Sequence, residues 1–218
     1  MRKEINWNDI TVKRFQEVYK RFEEISADSS LDDMEKAGKA IEAFFEMTPE
    51  EVDELTISEF NHKSKICTDI LDGKIPGKAV RTTKPGKQRY RIMYKVNEIK
   101  HGKYTEISHF AKKPIENIHF IMASVVEPIN WFGKVSKKEI THKEIAEEML
   151  NARIIDVYHA CVFFCKLFKG LTESIKPYLL GEMMATGLTR EAAVELLDIS
   201  SSILGGSLVQ EKSQHSKD

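Results

Sequence analysis

Only three cysteines, six prolines and 11 glycines occur in 218 residues, so the chain holds few residues of the kinds that staple, stiffen or break a backbone. The cysteines (Cys67, Cys161 and Cys165) are odd in number and show no dense spacing. That argues against a disulfide scaffold and fits a reducing compartment. Long apolar runs are missing as well. The longest, residues 154–168, covers 15 residues and contains Asp156, His159 and Lys166. A membrane span needs about 20 mostly apolar residues, so this stretch predicts a buried core helix and no membrane partner. The opening MRKEINWNDI turns polar before any apolar run develops, unlike a signal peptide.

Catalytic signatures are equally scarce. Gly77-Lys78-Ala79 and Gly86-Lys87-Gln88 lack the spacing and the hydroxyl of a phosphate loop, and no Gly-x-Ser-x-Gly, Cys-x-x-Cys or His-Glu-x-x-His occurs. Cys161 and Cys165 stand four apart, which puts them on one helix face, as a metal or redox pair would need. Their neighbours Val162, Phe163, Phe164 and Leu167 favour core packing instead. His101, His109, His119 and His142 fall within 42 residues, but no carboxylate ligands accompany them at regular spacing. Surface or capping roles suit them better than a metal site. Asp32-Asp33 and Glu50-Glu51 adjoin helix starts, where the helix dipole explains them. The expectation is a protein with no catalytic residues, no metal and no cofactor.

What is present is helical periodicity. Of the chain, 41% is apolar, enough to close a core and to exclude a fully disordered protein. Thr11 can cap a helix whose Val12, Phe15, Val18, Tyr19, Phe22 and Ile25 recur at three- and four-residue steps. A second helix is expected over 31–47, with Met34, Ala37, Ile41, Phe44 and Phe45 inward. Thr48-Pro49-Glu50-Glu51 starts a short third, and Thr56 a fourth over 57–71. Leu55-Thr56-Ile57 with Phe60 echoes Ile10-Thr11-Val12 with Phe15, two similar helix starts. Residues 72–88, rich in Gly and Lys, read as a loop. Tyr90, Ile92, Tyr94 and Val96 alternate with Arg89, Arg91, Met93 and Lys95, which predicts a strand with one buried face. Gly102 is expected to break the chain, and 104–110 reads equally as strand or helical turn. Pro114 opens a helix carrying Ile118, Ile121, Met122 and Val125, ended by Glu127-Pro128. Thr141 and Glu144 form a capping box. Helices follow over 151–168 and 171–185, the latter with a kink allowed at Pro177. A last helix starts at 187 and is capped by Gly205-Gly206. The predicted fold is thus mainly α, a single helical domain with a small β element near 89–110. Its parts are an N-terminal helical part (1–71), a basic loop (72–88), a strand-containing and C-terminal helical part (89–206) and a polar tail (207–218).

Charge is balanced in sum and uneven in place. The net charge of −1 gives the whole molecule no bulk attraction for nucleic acid or membranes. Yet residues 28–59 hold eleven acids and two lysines, whereas residues 73–95 hold eight Lys or Arg and no acid. Either these are two solvated faces or each meets a partner. The basic patch comprises Lys74, Lys78, Arg81, Lys84, Lys87, Arg89 and Arg91. It could neutralise phosphates or bind an acidic protein. Tyr90 and Tyr94, on the predicted buried face, make poor stacking platforms for bases.

Two groups of residues carry a resemblance. One is Trp7-Asn8-Asp9-Ile10-Thr11-Val12 with Phe15. The other runs from Tyr90-x-Ile92-x-Tyr94 through Gly102-Lys103-Tyr104-Thr105-Glu106-Ile107 and Asn117-Ile118-His119-x-Ile121-Met122-Ala123 to Glu127-Pro128. Together they resemble small proteins encoded among the virion and tail-assembly genes of tailed bacteriophages, notably crAss-like phages. Some of these look like tail-assembly (tape-measure) chaperones. The resemblance covers roughly residues 5–170 and transfers no functional residue. It implies a non-enzymatic protein of the host cytoplasm whose partner is a phage structural protein, the tape-measure protein or another tail or capsid component. A virion component, structural or packaged, or a nucleic-acid-contacting protein are the alternatives, and a homo-oligomer is compatible with all three. Phe163, Phe164, Phe168, Leu179 and Leu180, in unusually apolar helices, are the expected apolar partner surface.

Overall fold

Threonine hydroxyls organise the helix starts. Thr11, Thr48, Thr56 and Thr141 each accept a bond from the backbone N–H three residues on, heading α1 (Val12–Ala27), α3 (Pro49–Asp53), α4 (Ile57–Leu71) and a later helix. Asp32 closes a capping box with Glu35, so α2 (Asp33–Phe45) begins after it and not at residue 31. The structure, a computed structural model, describes residues 5–95, 99, 101–136, 139–185 and 189–192.

The segment expected to be a loop, 72–88, folds onto the body. Ile75 and Thr83 are buried, and Thr82–Thr83 forms β1. It pairs antiparallel with β2 (Arg89–Ile92), which pairs antiparallel with β3 (Val126–Ile129) in the order β1-β2-β3. The small β element expected near 89–110 is this three-stranded sheet, with β2 inside that range and β1 and β3 contributed from either side of it. Tyr90 and Ile92 are buried as their alternation predicts. The strand stops at Ile92, and Tyr94 instead donates its hydroxyl to the Val80 carbonyl at 2.8 Å. Val96 lies outside the described residues. Residues His101–Phe110 form α5, so Gly102 sits inside a helix and not at a break. Pro128, expected to follow a helix end, lies within β3. An edge strand tolerates a residue without an N–H.

The rest is helical. α6 (Ile118–Val125) buries Ile118, Ile121, Met122 and Val125 as predicted, and α7 is His142–Met149. The two helices expected over 151–168 and 171–185 are one, α8, Ile154–Ala185. The 207–218 tail, the Gly205-Gly206 cap and most of the last expected helix lie outside the described residues. Among those described, no helix is long and apolar enough to cross a membrane.

One core joins the N- and C-terminal parts. Val12 N–H donates to Ala152 O (2.9 Å) and Ile154 N–H to Ile10 O (2.8 Å), and the Phe15 ring meets Tyr158 edge-on at 6.0 Å. The core continues through Phe22, Ile41 and Phe44 on one side and through Tyr90, Met122 and Phe164 on the other. Met34, expected inward, is 73% exposed.

Candidate functional site

An aromatic turn is the most prominent surface feature. After β3 the chain makes a tight hairpin in which Ile129 bridges Val135. Asn130 builds it. Its Oδ1 accepts from the N–H groups of Phe132 and Lys134, both at 3.0 Å, and its backbone N–H donates to Lys134 O at 2.8 Å. Gly133 supplies the positive φ of 75° that the turn requires and returns an N–H to Asn130 O at 2.9 Å. Trp131 and Phe132 sit at the tip, 83% and 85% exposed. Burying a large apolar side chain is worth about 1.5–3 kcal/mol. The chain therefore forgoes that gain twice, at a place where its backbone is well braced.

Lysines stand at the same end of the sheet. The register pairs Arg89 with Ile129, so the β1–β2 loop (84–88) and the aromatic turn emerge together. Gln88 Nε2 ties them by donating to Ile129 O at 2.8 Å. Lys84, Lys87 and Lys134 are exposed, with no ion-pair partner among the described residues. The rest of the expected basic patch is dispersed. Lys74 pairs with Asp72 (2.8 Å) and Asp69 (3.6 Å), and Arg91 with Glu127 (2.7 Å). Arg81 lies opposite Ile92 at the other end of the sheet, Lys78 precedes it, and Arg89 is half-buried.

Two residues of the expected apolar partner surface are not on the surface. Phe164 and Phe168 are buried in the chain's own core, because α8 is the helix around which both halves pack. Phe163 is 39% exposed and leans on Tyr94, with ring centroids 5.5 Å apart. Leu179 and Leu180 lie on the part of α8 whose side chains are not described. Trp131 and Phe132 do not stand out by periodicity in the sequence, since they follow Glu127-Pro128, which reads as a helix end. Two adjacent aromatics between Asn130 and Gly133 were the available signal.

The titratable clusters resolve into packing. His109, His119 and His142 do converge, but on the rings of Phe110 and Phe120, which stack at 4.7 Å, and not on one another. His101's side chain is not described. Among the described residues no group of three or more His, Cys, Asp or Glu could hold a metal. Ser124 Oγ lies 2.9 Å from His142 Nε2 and 3.3 Å from Glu106. This is not a nucleophilic triad. Ser124 is fully buried, and Glu106 approaches the same ring nitrogen as the serine, whereas an orienting acid must hold the other one. Burial pushes the Cys67 thiol up to about 12. The bond with Cys165, and then burial, raise the Cys161 thiol well above its usual range. Both are inert core thiols.

One polar contact spans the two halves and makes a pH-dependent prediction. Gln16 Nε2 lies 2.8 Å from Ile115 O and Glu116 O, and 3.1 Å from His119 Nδ1. Burial holds the His119 imidazole below its usual range, so the folded protein favours the neutral ring. In the unfolded chain the ring titrates near 6.5. The unfolded state then binds more protons below that pH. The His119 contribution is complete above about 7 and is lost as the pH falls through 6.5 towards the lower folded value. The urea midpoint is expected to drop between pH 7.5 and 5.5, and to drop less in His119→Gln. Identical slopes for the two proteins would refute this assignment.

Comparison with protein-family models, with curated proteins and with solved structures finds no match.

Proposed function

We propose that this protein acts non-enzymatically by binding another protein, and that the Trp131–Phe132 turn makes the contact. The single observation that carries the reading is the exposure of two adjacent aromatics on a turn held by four backbone and side-chain hydrogen bonds. Tryptophan is among the residues that dominate binding energy at protein interfaces. A preformed turn also avoids most of the ordering cost of association. Lys84, Lys87 and Lys134 around it favour an acidic partner surface. Neutralisation of Lys74 and Arg91 by neighbouring acids weighs against a continuous phosphate-tracking strip.

The resemblance alone supplies the biological setting: phage particle assembly in the host cytoplasm, as a tail-assembly chaperone whose client is the tape-measure protein or another tail or capsid component. Tagged wild-type chain and a Trp131→Ser/Phe132→Ser variant, expressed during infection, test both levels. The tape-measure protein is expected to co-purify with the wild type and to be strongly depleted with the variant. Mass spectrometry of mature particles is expected to show the protein absent. Its presence at fixed copy number would assign it to the virion. Co-purification with no phage protein, or co-purification indifferent to the double substitution, would overturn the proposal.

A further inference from the structure

A second surface feature has the opposite character to the turn. Helices α2, α3 and α4 enclose a groove of about 480 Å³, the size of a small-molecule site. Met34 and Ile57 flank it, 73% and 81% exposed, with Val52 and Phe60 also lining it. Its charged lining is Glu35, Glu42 and Asp53 against Lys39 alone. Glu42 and Asp53 have no ion-pair partner among the described residues. The groove lies within the 28–59 segment, where eleven acids meet two lysines.

Gly38 adds an independent observation. It sits inside α2 and lines the groove. Glycine in a helix interior is less stable than alanine by about 0.5–1 kcal/mol. Nothing in the backbone requires it here, because an added Cβ would meet only Val52 Cγ1, at 4.0 Å. What the missing side chain does is leave the groove open.

We infer that this groove receives the Trp131–Phe132 turn of a second copy of the chain. The inference rests on the reading of the turn as a protein-binding element and names its occupant. An apolar projection with Lys84, Lys87 and Lys134 at the same end of the sheet matches an apolar groove edged by Glu42 and Asp53, all without an ion-pair partner among the described residues, and the chain carries both. Trp131 and Phe132 remain exposed within the chain, so its own turn does not fill the groove. The contact joins two different surfaces. Each docked copy keeps one turn or one groove free, and copies add head to tail into a ring or an open filament. Two aromatics bury about 300–500 Å², less than the roughly 800 Å² per partner of a standard interface. Association is therefore weak and is weakened further by salt.

Sedimentation of the purified full chain, from micromolar to about millimolar concentration, tests the inference. Wild type is expected to associate with rising concentration, and less so as salt is raised. Two variants disable one surface each: Trp131→Ser/Phe132→Ser removes the turn's aromatics, and Gly38→Leu fills the groove. Both alter exposed or open positions, and circular dichroism and thermal unfolding confirm that they fold. Each alone is expected to remain monomeric. Mixed in equal amounts, they are expected to form dimers and nothing larger, since one supplies an intact turn and the other an intact groove. A wild type that stays monomeric throughout, a variant that still associates, or a mixture that fails to pair would each overturn self-docking. The co-purification experiment is separate. If the turn variant loses its phage partner while the wild type is monomeric, the protein-binding reading stands and the second copy is not the occupant. Turn-dependent binding of wild type to anionic vesicles or to single-stranded DNA, without self-association, would overturn self-docking and give the turn and its lysines an anionic partner instead.

Discussion

Phe15→Ala is expected to lower the free energy of unfolding by about 3–5 kcal/mol, the usual cost of deleting a buried phenylalanine ring. Phe15 is 1% exposed and projects from α1. Its ring lies 6.1 Å from Tyr19 and 6.0 Å from Tyr158, the latter on α8. Removing it opens a cavity where the first helix meets the longest one. Collapse is resisted there because the backbones are already joined on both sides of Thr11, by Val12 to Ala152 and Ile154 to Ile10. Against a total stability of about 5–15 kcal/mol, this is enough to leave a marginal protein partly unfolded. Phe15→Leu keeps much of the volume and is expected to cost markedly less. Urea unfolding of the three proteins decides it. A loss below about 1 kcal/mol for Phe15→Ala would place this ring outside the cooperative core.

The second large effect is expected at Gly73. α4 ends in a Schellman motif: Gly73 N–H donates to Ile70 O at 3.0 Å, and Lys74 N–H to Asp69 O at 2.7 Å. Gly73 takes φ of 71°, and a Cβ there would stand 2.7 Å from the Tyr158 hydroxyl. That hydroxyl donates to Gly73 O at 3.1 Å. Alanine at this position meets two penalties. The left-handed conformation costs about 1–2 kcal/mol. Displacing Tyr158 loses a hydrogen bond worth roughly 1 kcal/mol. Gly73→Ala is thus expected to destabilise by about 2–3 kcal/mol, the sum of those two terms. In a Tyr158→Phe background the hydroxyl is gone, and only the conformational part should remain. Equal costs in both backgrounds would show that the Tyr158 contact contributes nothing.

Legibility in the sequence followed the range of the interactions. Thr11, Thr48, Thr56 and Thr141 were readable as caps because each bonds a backbone N–H only three residues away. The ends of α4 and the buried face of α6 were readable for the same reason of short period. β1 and β3 were not. Thr83 is a strand residue only because it pairs with Tyr90, and Pro128 only because Tyr90 stands beside it. Gly102 illustrates the opposite error, since a poor helix former is carried inside α5. Phe164 and Phe168 were rightly read as strongly apolar. That reading could not say whether a partner or the chain's own core would cover them.

The paired helix starts separate what the sequence determined from what the tertiary structure decided. Ile10-Thr11-Val12 with Phe15 and Leu55-Thr56-Ile57 with Phe60 carry the same local signal, and both start helices. Ile10, Val12 and Phe15 are buried, whereas Ile57 is 81% exposed and Phe60 only half-buried. The capping bond is closed within three residues and needs nothing else. Burial needs a second surface. For the first start it arrives from Ala152 and Ile154, some 140 residues along the chain. Ile57 stays open to solvent at the edge of the groove between α2, α3 and α4. The sequence by itself thus determined a mainly helical chain and where most of its helices begin. Only the tertiary structure decided which apolar residues became core and which, like Trp131, Phe132 and Ile57, were left available for contact.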